Sequence, residues 1–264
     1  MWRNDLSVKI EKRRDELLGK EFETNNCGKC FIIDYKGSNN VLVKFVEYPC
    51  EVKCCLGDLK KGNVKNPLKP SVFSKGYLGI GKYSPSDKDY YVVWKSLLQR
   101  VLDVKYQESR PTYKGATIIN EWLNFQNFAS WCDEQEFFNV KDDKGQQYQL
   151  DKDILARENK VYSPNTCCFV PSQINSALIS CKARRGDNPV GVSYNKVKRK
   201  FVAHITSGDG KRKHLGCFED ATTAFKVYKY AKEAHIKSLA EKWKGKIDDR
   251  VYEALMNWEV GVDV

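Results

Sequence analysis

Apolar and polar residues alternate along the first part of the chain as they do in short strands. Two β-rich runs, residues 30–35 and 41–45, are bounded by the turn clusters "NNCG" and "KGSNN". A charged amphipathic helix is predicted over residues 5–18, and Gly19 ends it. This spacing predicts an N-terminal domain, residues 1–66, composed of the helix and a small antiparallel β-barrel.

Helical spacing replaces the alternation in the middle of the chain. Residues 67–86 are rich in proline and glycine and are predicted to form a linker. The next stretch, "YYVVWKSLLQRVLDVKY", has apolar residues at helical intervals, and so does "NEWLNFQNFASW". We interpret the aromatic residues of the second stretch as a core stripe rather than a base-stacking surface. The stripe consists of Trp122, Phe125, Phe128 and Trp131.

Residues 148–178 have the pattern of a strand, a loop, a second strand and a helix. "YQLDKDIL" and "CCFV" are the predicted strands, "ARENKVYSPNT" is the loop, and Pro171 suits the first turn of the helix. The two-residue strand period places Asp151 and Asp153 on one face, and Asn175 lies in an early turn of the helix. A metal ion could lie between these side chains. We assign residues 87–181 to this central domain.

The last part of the chain has three predicted strands followed by a helix. The strands lie near residues 191–194, 200–206 and 213–218, and a "SGDG" hairpin turn joins the second to the third. The helix begins after an acidic pair, which suits the positive end of the helix dipole. Residues 182–264 are therefore predicted to form a three-stranded sheet packed on a helix. The fold class of the whole chain is predicted to be α+β.

The positive charge of the chain is concentrated in one segment. The 264 residues include 45 Lys and Arg against 34 Asp and Glu, a formal net charge of +11. Residues 181–246 contain 17 of the basic and 6 of the acidic residues, a net +11, which leaves 28 against 28 elsewhere. Such a concentration favours binding to a polyanion, and a merely solvated basic face is the alternative.

Composition narrows the class of protein. A hydrophobic content of 41% is ample for packed cores, and no run approaches the roughly 20 apolar residues that span a bilayer. The ten cysteines accompany no export signal, so we expect a soluble cytoplasmic protein with reduced thiols and no membrane partner. Cys27, Cys30, Cys50 and Cys54 could supply four thiolates to zinc. The first pair lies in a predicted turn and the second in a predicted strand, which disfavours a zinc site.

The C-terminal stretches "GVSYNKVKRKFVAHI" and "KRKHLGCFEDATTAFKVYKYA" carry a family pattern. Their Gly-Val opening, Lys-Phe-x-Ala-x-Ile strand, Leu-Gly-x-Phe strand and alanine-rich helix resemble the Apetala-two or ethylene-response-factor DNA-binding domain. In that family the sheet, and not the helix, enters the major groove of double-stranded DNA. Carried over by position, the resemblance implies DNA contacts from Ser193, Tyr194, Asn195, Lys198, Lys200, His204, Thr206, Arg212 and His214. Arginines dominate base reading in the plant domains, so the different residues here imply a different target sequence.

The central stretches "LDKDIL", "NKVYSPNTCCFVP" and "IN" resemble bacteriophage HNH or homing endonucleases, which often end in such a DNA-binding domain. The two resemblances together cover about residues 70–260 and imply a phage protein in the cytoplasm of the host bacterium. The N-terminal part resembles the Src-homology-three-like modules of the same phage proteins. The resemblance implies a ββα-metal fold in the central domain.

The general base of HNH enzymes is a histidine at the end of the first strand of the ββα fold, beside a divalent metal. Lys152 occupies that place, and the histidines of the chain, His204, His214 and His235, all lie in the C-terminal segment. A lysine is normally protonated at neutral pH, so it cannot efficiently take a proton from water. It could still stabilise the charge of a transition state.

Three interpretations of this stretch remain open. In the first, Asp151, Asp153 and Asn175 hold Mg²⁺ or Mn²⁺, and Lys152 and Asn159 support phosphodiester cleavage. In the second, the fold is a DNA-binding platform without cleavage, in a regulator or an inhibitor of a host nucleic-acid system. In the third, these are ordinary turn and strand residues. Metal-dependent cleavage or nicking of duplex DNA is the leading hypothesis, and a non-catalytic DNA-binding protein is the alternative.

Overall fold

The computed structural model describes residues 2–178, 188–206 and 210–261, and it has an α+β fold. The helices are α1 (Trp2–Leu17), α2 (Leu56–Lys60), α3 (Lys88–Leu102), α4 (Val104–Ser109), α5 (Phe125–Asp133), α6 (Ser172–Leu178), α7 (Ala221–Trp243) and α8 (Asp249–Met256). The strands are β1 (Glu21–Thr24), β2 (Gly28–Tyr35), β3 (Val41–Phe45), β4 (Glu51–Cys54), β5 (Thr117–Ile118), β6 (Gln149–Asp151), β7 (Val161–Tyr162), β8 (Cys168–Val170), β9 (Val192–Asn195), β10 (Lys200–Thr206) and β11 (Arg212–Phe218). None of the helices in the described ranges is long and apolar enough to cross a bilayer.

The chain divides into two compact units. The first contains residues 1–114 and 120–130, and the second contains residues 115–119 and 131–264. Of the segments expected from the sequence, the N-terminal domain and the linker fall in the first unit, the C-terminal domain falls in the second, and the central domain is divided between them. The predicted boundary at residues 181 and 182 and most of the predicted "SGDG" turn lie outside the described residues.

In the first unit, β1 to β4 form an open antiparallel sheet in the order β1-β2-β3-β4. Cys30 is paired with Phe22 on one side and with Phe45 on the other, so apolar side chains of adjacent strands line up. The expected β-barrel is wrong, because β1 and β4 are edges that do not pair with each other. The apolar face is covered instead by the end of α1, whose Leu17 is buried in the same core.

Residues 67–86, which were expected to be a linker, are packed into the first unit. The backbone N–H of Tyr77 donates to the carbonyl of Leu123 over 2.9 Å. Gly76 lies against α3, and a Cβ at this position would collide with Leu98. Glycine therefore serves close packing here and does not make this segment a flexible spacer.

The aromatic stripe is confirmed as core, since Trp122, Phe125, Phe128 and Trp131 are all buried. A 3-10 turn (Asn120–Leu123) precedes α5 and carries the first of these rings. That ring meets Phe128 edge to face, with 5.2 Å between ring centroids. The three-residue spacing therefore reflects core packing, and these four buried rings are not available for stacking on bases.

In the second unit, β6 pairs antiparallel with β8, and α6 follows after Pro171. We call residues 148–178 the ββα element. Its contacts with the C-terminal part of the second unit include two hydrogen bonds. The Tyr148 hydroxyl donates to the carbonyl of Lys246 over 3.0 Å, and the Trp243 indole N–H donates to the side-chain oxygen of Gln173 over 3.2 Å.

The C-terminal sheet has β10 at its centre, between β11 and β9, and α7 packs on one face. Val192, Ala203 and Ile205 are buried on the helix side. Gly191 has a φ of +74° and lies against Tyr228 of α7, where a Cβ would collide with the ring. The helix can approach the sheet closely because this position has no side chain.

The start of α7 agrees with the acidic pair that predicted it. Asp220 is the N-cap, and its Oδ1 accepts the backbone N–H of Thr223 over 2.7 Å. This bond satisfies one of the amides that a helix leaves unpaired at its first turn. Ala224 and Phe225 then begin the buried face of the helix.

Candidate functional site

The first candidate site is the ββα element, and it begins at the end of β6. Asp151 is directly opposite Cys168 of β8, and β6 ends there. One carboxylate oxygen of Asp151 accepts the backbone N–H groups of Asp153, over 2.8 Å, and of Ile154, over 2.9 Å. These bonds turn the chain away from the sheet, so the predicted strand "YQLDKDIL" is shorter than expected. Asp153 therefore lies after the strand rather than on its face.

The carboxyl group of Asp151 is in an unusual electrostatic environment. Burial raises its pKa above the ordinary value, although the two backbone amides and the nearby Lys152 ammonium act in the opposite direction. A raised pKa is common in catalytic acids. Here, however, the same carboxylate holds a turn, which gives it a structural role.

Lys152, in the place of the general base, points into the protein and is 5% exposed. Its ammonium group donates to the backbone carbonyl of Asn159 over 2.7 Å and forms an ion pair with Asp153. The ring of Tyr162 lies 5.7 Å from the nitrogen. Two of the three ammonium donors are thus used within the protein.

Asn159 holds the other end of this loop. Its side-chain amide donates to the carbonyl of Lys152 over 3.1 Å and to the carbonyl of Val161 over 2.6 Å. Its side-chain oxygen accepts the backbone N–H of Val161 over 3.0 Å. The amide group is therefore occupied by loop contacts, as in an ordinary Asx turn.

The predicted metal ligands are held by protein partners. Asn175 donates to the side-chain oxygen of Gln149 over 3.0 Å, two residues before Asp151 in β6, while Asp153 is paired with the Lys152 ammonium. Within the described residues, no group of three or more His, Cys, Asp or Glu side chains is arranged to hold a metal ion, and this includes the four cysteines considered for zinc. Mg²⁺ needs several oxygen ligands in octahedral geometry, and this set fits it poorly beside a fixed ammonium.

The second candidate site is the face of the C-terminal sheet that is turned away from α7. Strand alternation places His204 and Thr206 opposite in direction to the buried Ala203 and Ile205. We call the face that they share with their cross-strand neighbours the outer face. The predicted DNA-contact residues on it are Ser193, Asn195, Lys200, His204, Thr206, Arg212 and His214.

Two predicted contact residues lie elsewhere. Tyr194 is paired with Phe201, and their rings are 5.0 Å apart on the side of the sheet that faces α7. Lys198 lies in the turn between β9 and β10, where its backbone N–H donates to the side-chain oxygen of Asn195 over 3.0 Å. Among residues of the outer face, the Lys200 ammonium is paired with Glu219 at 2.7 Å.

The centre of the outer face is an imidazole and guanidinium cluster. His204 is directly opposite His214, and Thr206 is directly opposite Arg212. The Arg212 guanidinium forms a hydrogen bond with Nε2 of His204. Burial, and then the Arg212 charge, lower the pKa of His204 below its ordinary value.

Two features of the second unit were not found from the sequence. Val197 is 94% exposed at the tip of the β9–β10 turn, among basic neighbours. A cleft of about 490 Å³ is lined by residues that include Glu134, Phe169 and the Asp248–Arg250 ion pair. A hairpin tip can be inferred from turn residues, but the cleft could not be, because its lining comes from three separate segments between residues 134 and 250.

Comparison of the chain with protein-family models, with curated proteins and with solved structures returned no match in any of the three.

Proposed function

We propose that the protein binds double-stranded DNA through the outer face of its C-terminal sheet, and that the ββα element supports the fold without cleaving DNA. The observation that carries the proposal is the composition of the outer face. It collects guanidinium, imidazole, amide and hydroxyl groups on adjacent strands, while the opposite face is occupied by α7. These are the groups that read base edges in the major groove and bind phosphates.

The charge of the chain supports a polyanionic partner. The net excess of +11 lies between residues 181 and 246, the segment that contains this sheet. Lysine and arginine neutralise phosphates and release counterions, so affinity should fall steeply with salt. The resemblance to the ethylene-response-factor domain agrees with sheet-mediated binding. The resemblance to phage HNH proteins would place this activity in the cytoplasm of an infected bacterium, in a regulator or inhibitor.

Metal-dependent cleavage is the second candidate function. The observation that favours it is the antiparallel pair β6 and β8 followed by α6 in the ββα element. Against it, Lys152 is buried and donates within the protein, and Asp151 holds a turn. No histidine is present between residues 1 and 203 to act as a base.

The binding test compares two neighbouring basic residues of β11 in the full chain. A preferred duplex is first selected from a random library, and affinity is then measured by fluorescence anisotropy over a range of salt concentrations. Arg212→Gln changes the outer face, whereas Lys213→Gln is the matched control because Lys213 is paired with Ile205, on the other side of the sheet. Loss of one base contact should cost about 1–3 kcal/mol at the preferred site only.

Two outcomes would overturn the binding proposal. One is the absence of salt-dependent duplex binding by the native protein. The other is an equal, sequence-independent effect of Arg212→Gln and Lys213→Gln, since sheet readout requires them to differ.

The cleavage test uses supercoiled plasmid incubated with Mg²⁺ or Mn²⁺, with chelator as the control. We expect no nicks. Nicking that needs the metal and is abolished by Asp151→Asn would replace the non-catalytic proposal with the second candidate function.

A further inference from the structure

The contact between His204 and Arg212 joins two strands on the outer face. His204 lies in β10, and its direct partner in β11 is His214. Arg212 is two residues before His214, so its side chain crosses diagonally to reach His204. The guanidinium is thus held in the middle of the proposed DNA surface instead of extending freely into solvent.

Hydrogen-bond chemistry fixes the protonation state that this contact requires. A guanidinium has five N–H donors and no acceptor, so Nε2 of His204 must accept. An imidazole accepts at Nε2 only when it is neutral and carries its proton on Nδ1. Protonation of His204 would remove the acceptor and place two cations side by side.

The surroundings of His204 favour the neutral ring at neutral pH. Burial lowers its pKa, and so do Arg212 and, to a smaller extent, His214, which face it from β11. A hydrogen bond between His204 and the backbone of Val202 raises the pKa of His204. On the β9 side its neighbour is the backbone of Gly191, whose carbonyl accepts the His204 N–H over 3.0 Å, and α7 lies on the opposite face of the sheet.

We infer that His204 is a positioning residue that orients the Arg212 guanidinium for base reading, and that acidification releases this arginine and weakens sequence discrimination. The inference rests on the proposed DNA binding. An arginine reads guanine through two parallel hydrogen bonds in a fixed plane. One Arg212 donor bound to His204 leaves four N–H donors for a base. The contact with His204 also restricts the side-chain rotamers of Arg212 before binding, so less side-chain entropy is lost when DNA binds.

Acidification should have opposite effects on the affinity for any duplex and on the discrimination between duplexes. As pH falls, protonated imidazoles add positive charge to the outer face, so affinity for any duplex rises. Discrimination between the preferred and a scrambled duplex falls, because Arg212 is no longer held. If His204 had a purely structural role, acidification would not raise overall affinity while lowering discrimination.

The experiment measures the ratio of affinities for preferred and scrambled duplexes in the full chain at constant ionic strength. The pH is varied from 7.5 downwards until the histidine chemical shifts of the free protein show that His204 is protonated. We expect the ratio of the native protein to fall by about fivefold or more on acidification, within the range that one bidentate base contact supplies. His204→Gln keeps a neutral acceptor and should make the ratio independent of pH. His204→Ala should lower it at every pH.

His235→Gln is the matched control, since His235 lies in α7 and not on the outer face. It should keep the pH dependence of the ratio. A native ratio that does not change with pH, or a ratio in His204→Gln that changes as much as in the native protein, would overturn the inference.

A readout without DNA separates failure of this inference from failure of the proposed function. Nitrogen chemical shifts of labelled histidine in the free protein report which ring nitrogen carries the proton. We expect Nε2 of His204 to be unprotonated at pH 7.5, and Arg212→Gln to raise the pKa of the ring. An Nε2-protonated neutral ring would overturn the inference even if DNA binding is found. The expected tautomer in a protein that binds no duplex would overturn only the proposed function.

Discussion

Substitution of Lys152 distinguishes a buried structural side chain from a catalytic ammonium group. Lys152→Ala removes three buried methylene groups, which contribute about 0.8 kcal/mol each, or about 2.4 kcal/mol in all. It also removes the charge-assisted hydrogen bond to the Asn159 carbonyl, worth about 1.5–3 kcal/mol. Asp153 is half exposed, so the ion pair itself contributes only about 0–1 kcal/mol.

The desolvation of the Lys152 ammonium reduces the stability loss expected for Lys152→Ala. Removal of a buried ammonium also removes its desolvation penalty, which is about several kcal/mol for a fully buried ion. We therefore expect a net loss of about 3 kcal/mol for Lys152→Ala. Lys152→Met keeps an apolar stem of similar length and should lose about 1 kcal/mol. The difference between the two variants, about 2 kcal/mol, depends on packing alone.

The assay is urea unfolding of the full chain, followed by circular dichroism and tryptophan fluorescence. The exposed Lys144, in the loop before β6, gives the control Lys144→Ala, which should change stability by less than about 0.5 kcal/mol. If Lys152→Ala were as stable as this control, the side chain would not be packed as described. A stable Lys152→Ala protein that loses a metal-dependent nicking activity would favour catalysis instead.

Three further predictions concern the second unit. Lys152→His supplies a ring with an unperturbed pKa near 6.5, but we expect no plasmid nicking with Mn²⁺, because the side chain at this position points into the protein. Burial raises the pKa of Asp151 in the folded protein above that in the unfolded chain. The stability that this group contributes should therefore be fully present below the ordinary carboxyl pKa and be lost as pH rises through the raised pKa. Asp151→Asn should abolish that dependence in unfolding curves measured from pH 3 to 7, whereas Asp151→Ala should lose about 1–3 kcal/mol because two backbone amides lose their acceptor. Gly191→Ala should destabilise the second unit by at least about 1–3 kcal/mol and lower its melting temperature, since the new Cβ collides with Tyr228 and the backbone φ is positive.

The outer face of the C-terminal sheet could be predicted from the second half of β10, where apolar and polar residues alternate. In β10 the buried Ala203 and Ile205 alternate with His204 and Thr206, which identifies the outer face directly. The same rule explains the error at Tyr194. Three consecutive residues of one strand cannot all lie on one face, so Tyr194 must point away from its neighbours on either side.

The N-terminal sheet and the ββα element were predicted only in part. Strand spacing indicates antiparallel pairing, but it does not determine whether β1 and β4 pair with each other, and a helix end covers the core instead. In the ββα element the order of β6, β8 and α6 was correct, but the expected loop contains the further strand β7, which pairs with β5. The inward direction of Lys152 was not predicted, because it follows from the turn at Asp151, which ends β6 and breaks the strand alternation.

The polar side chains of the two candidate sites differ in their hydrogen-bond partners. A base-reading surface needs donors and acceptors that are open to solvent, and the outer face supplies them on a sheet fixed by α7. The ββα element has turned its polar groups towards its own backbone, as the contacts of Lys152 and Asn159 illustrate. Substitutions there should therefore change stability and leave the proposed base preference of the folded protein intact. Substitutions on the outer face should change base preference and leave stability nearly unchanged.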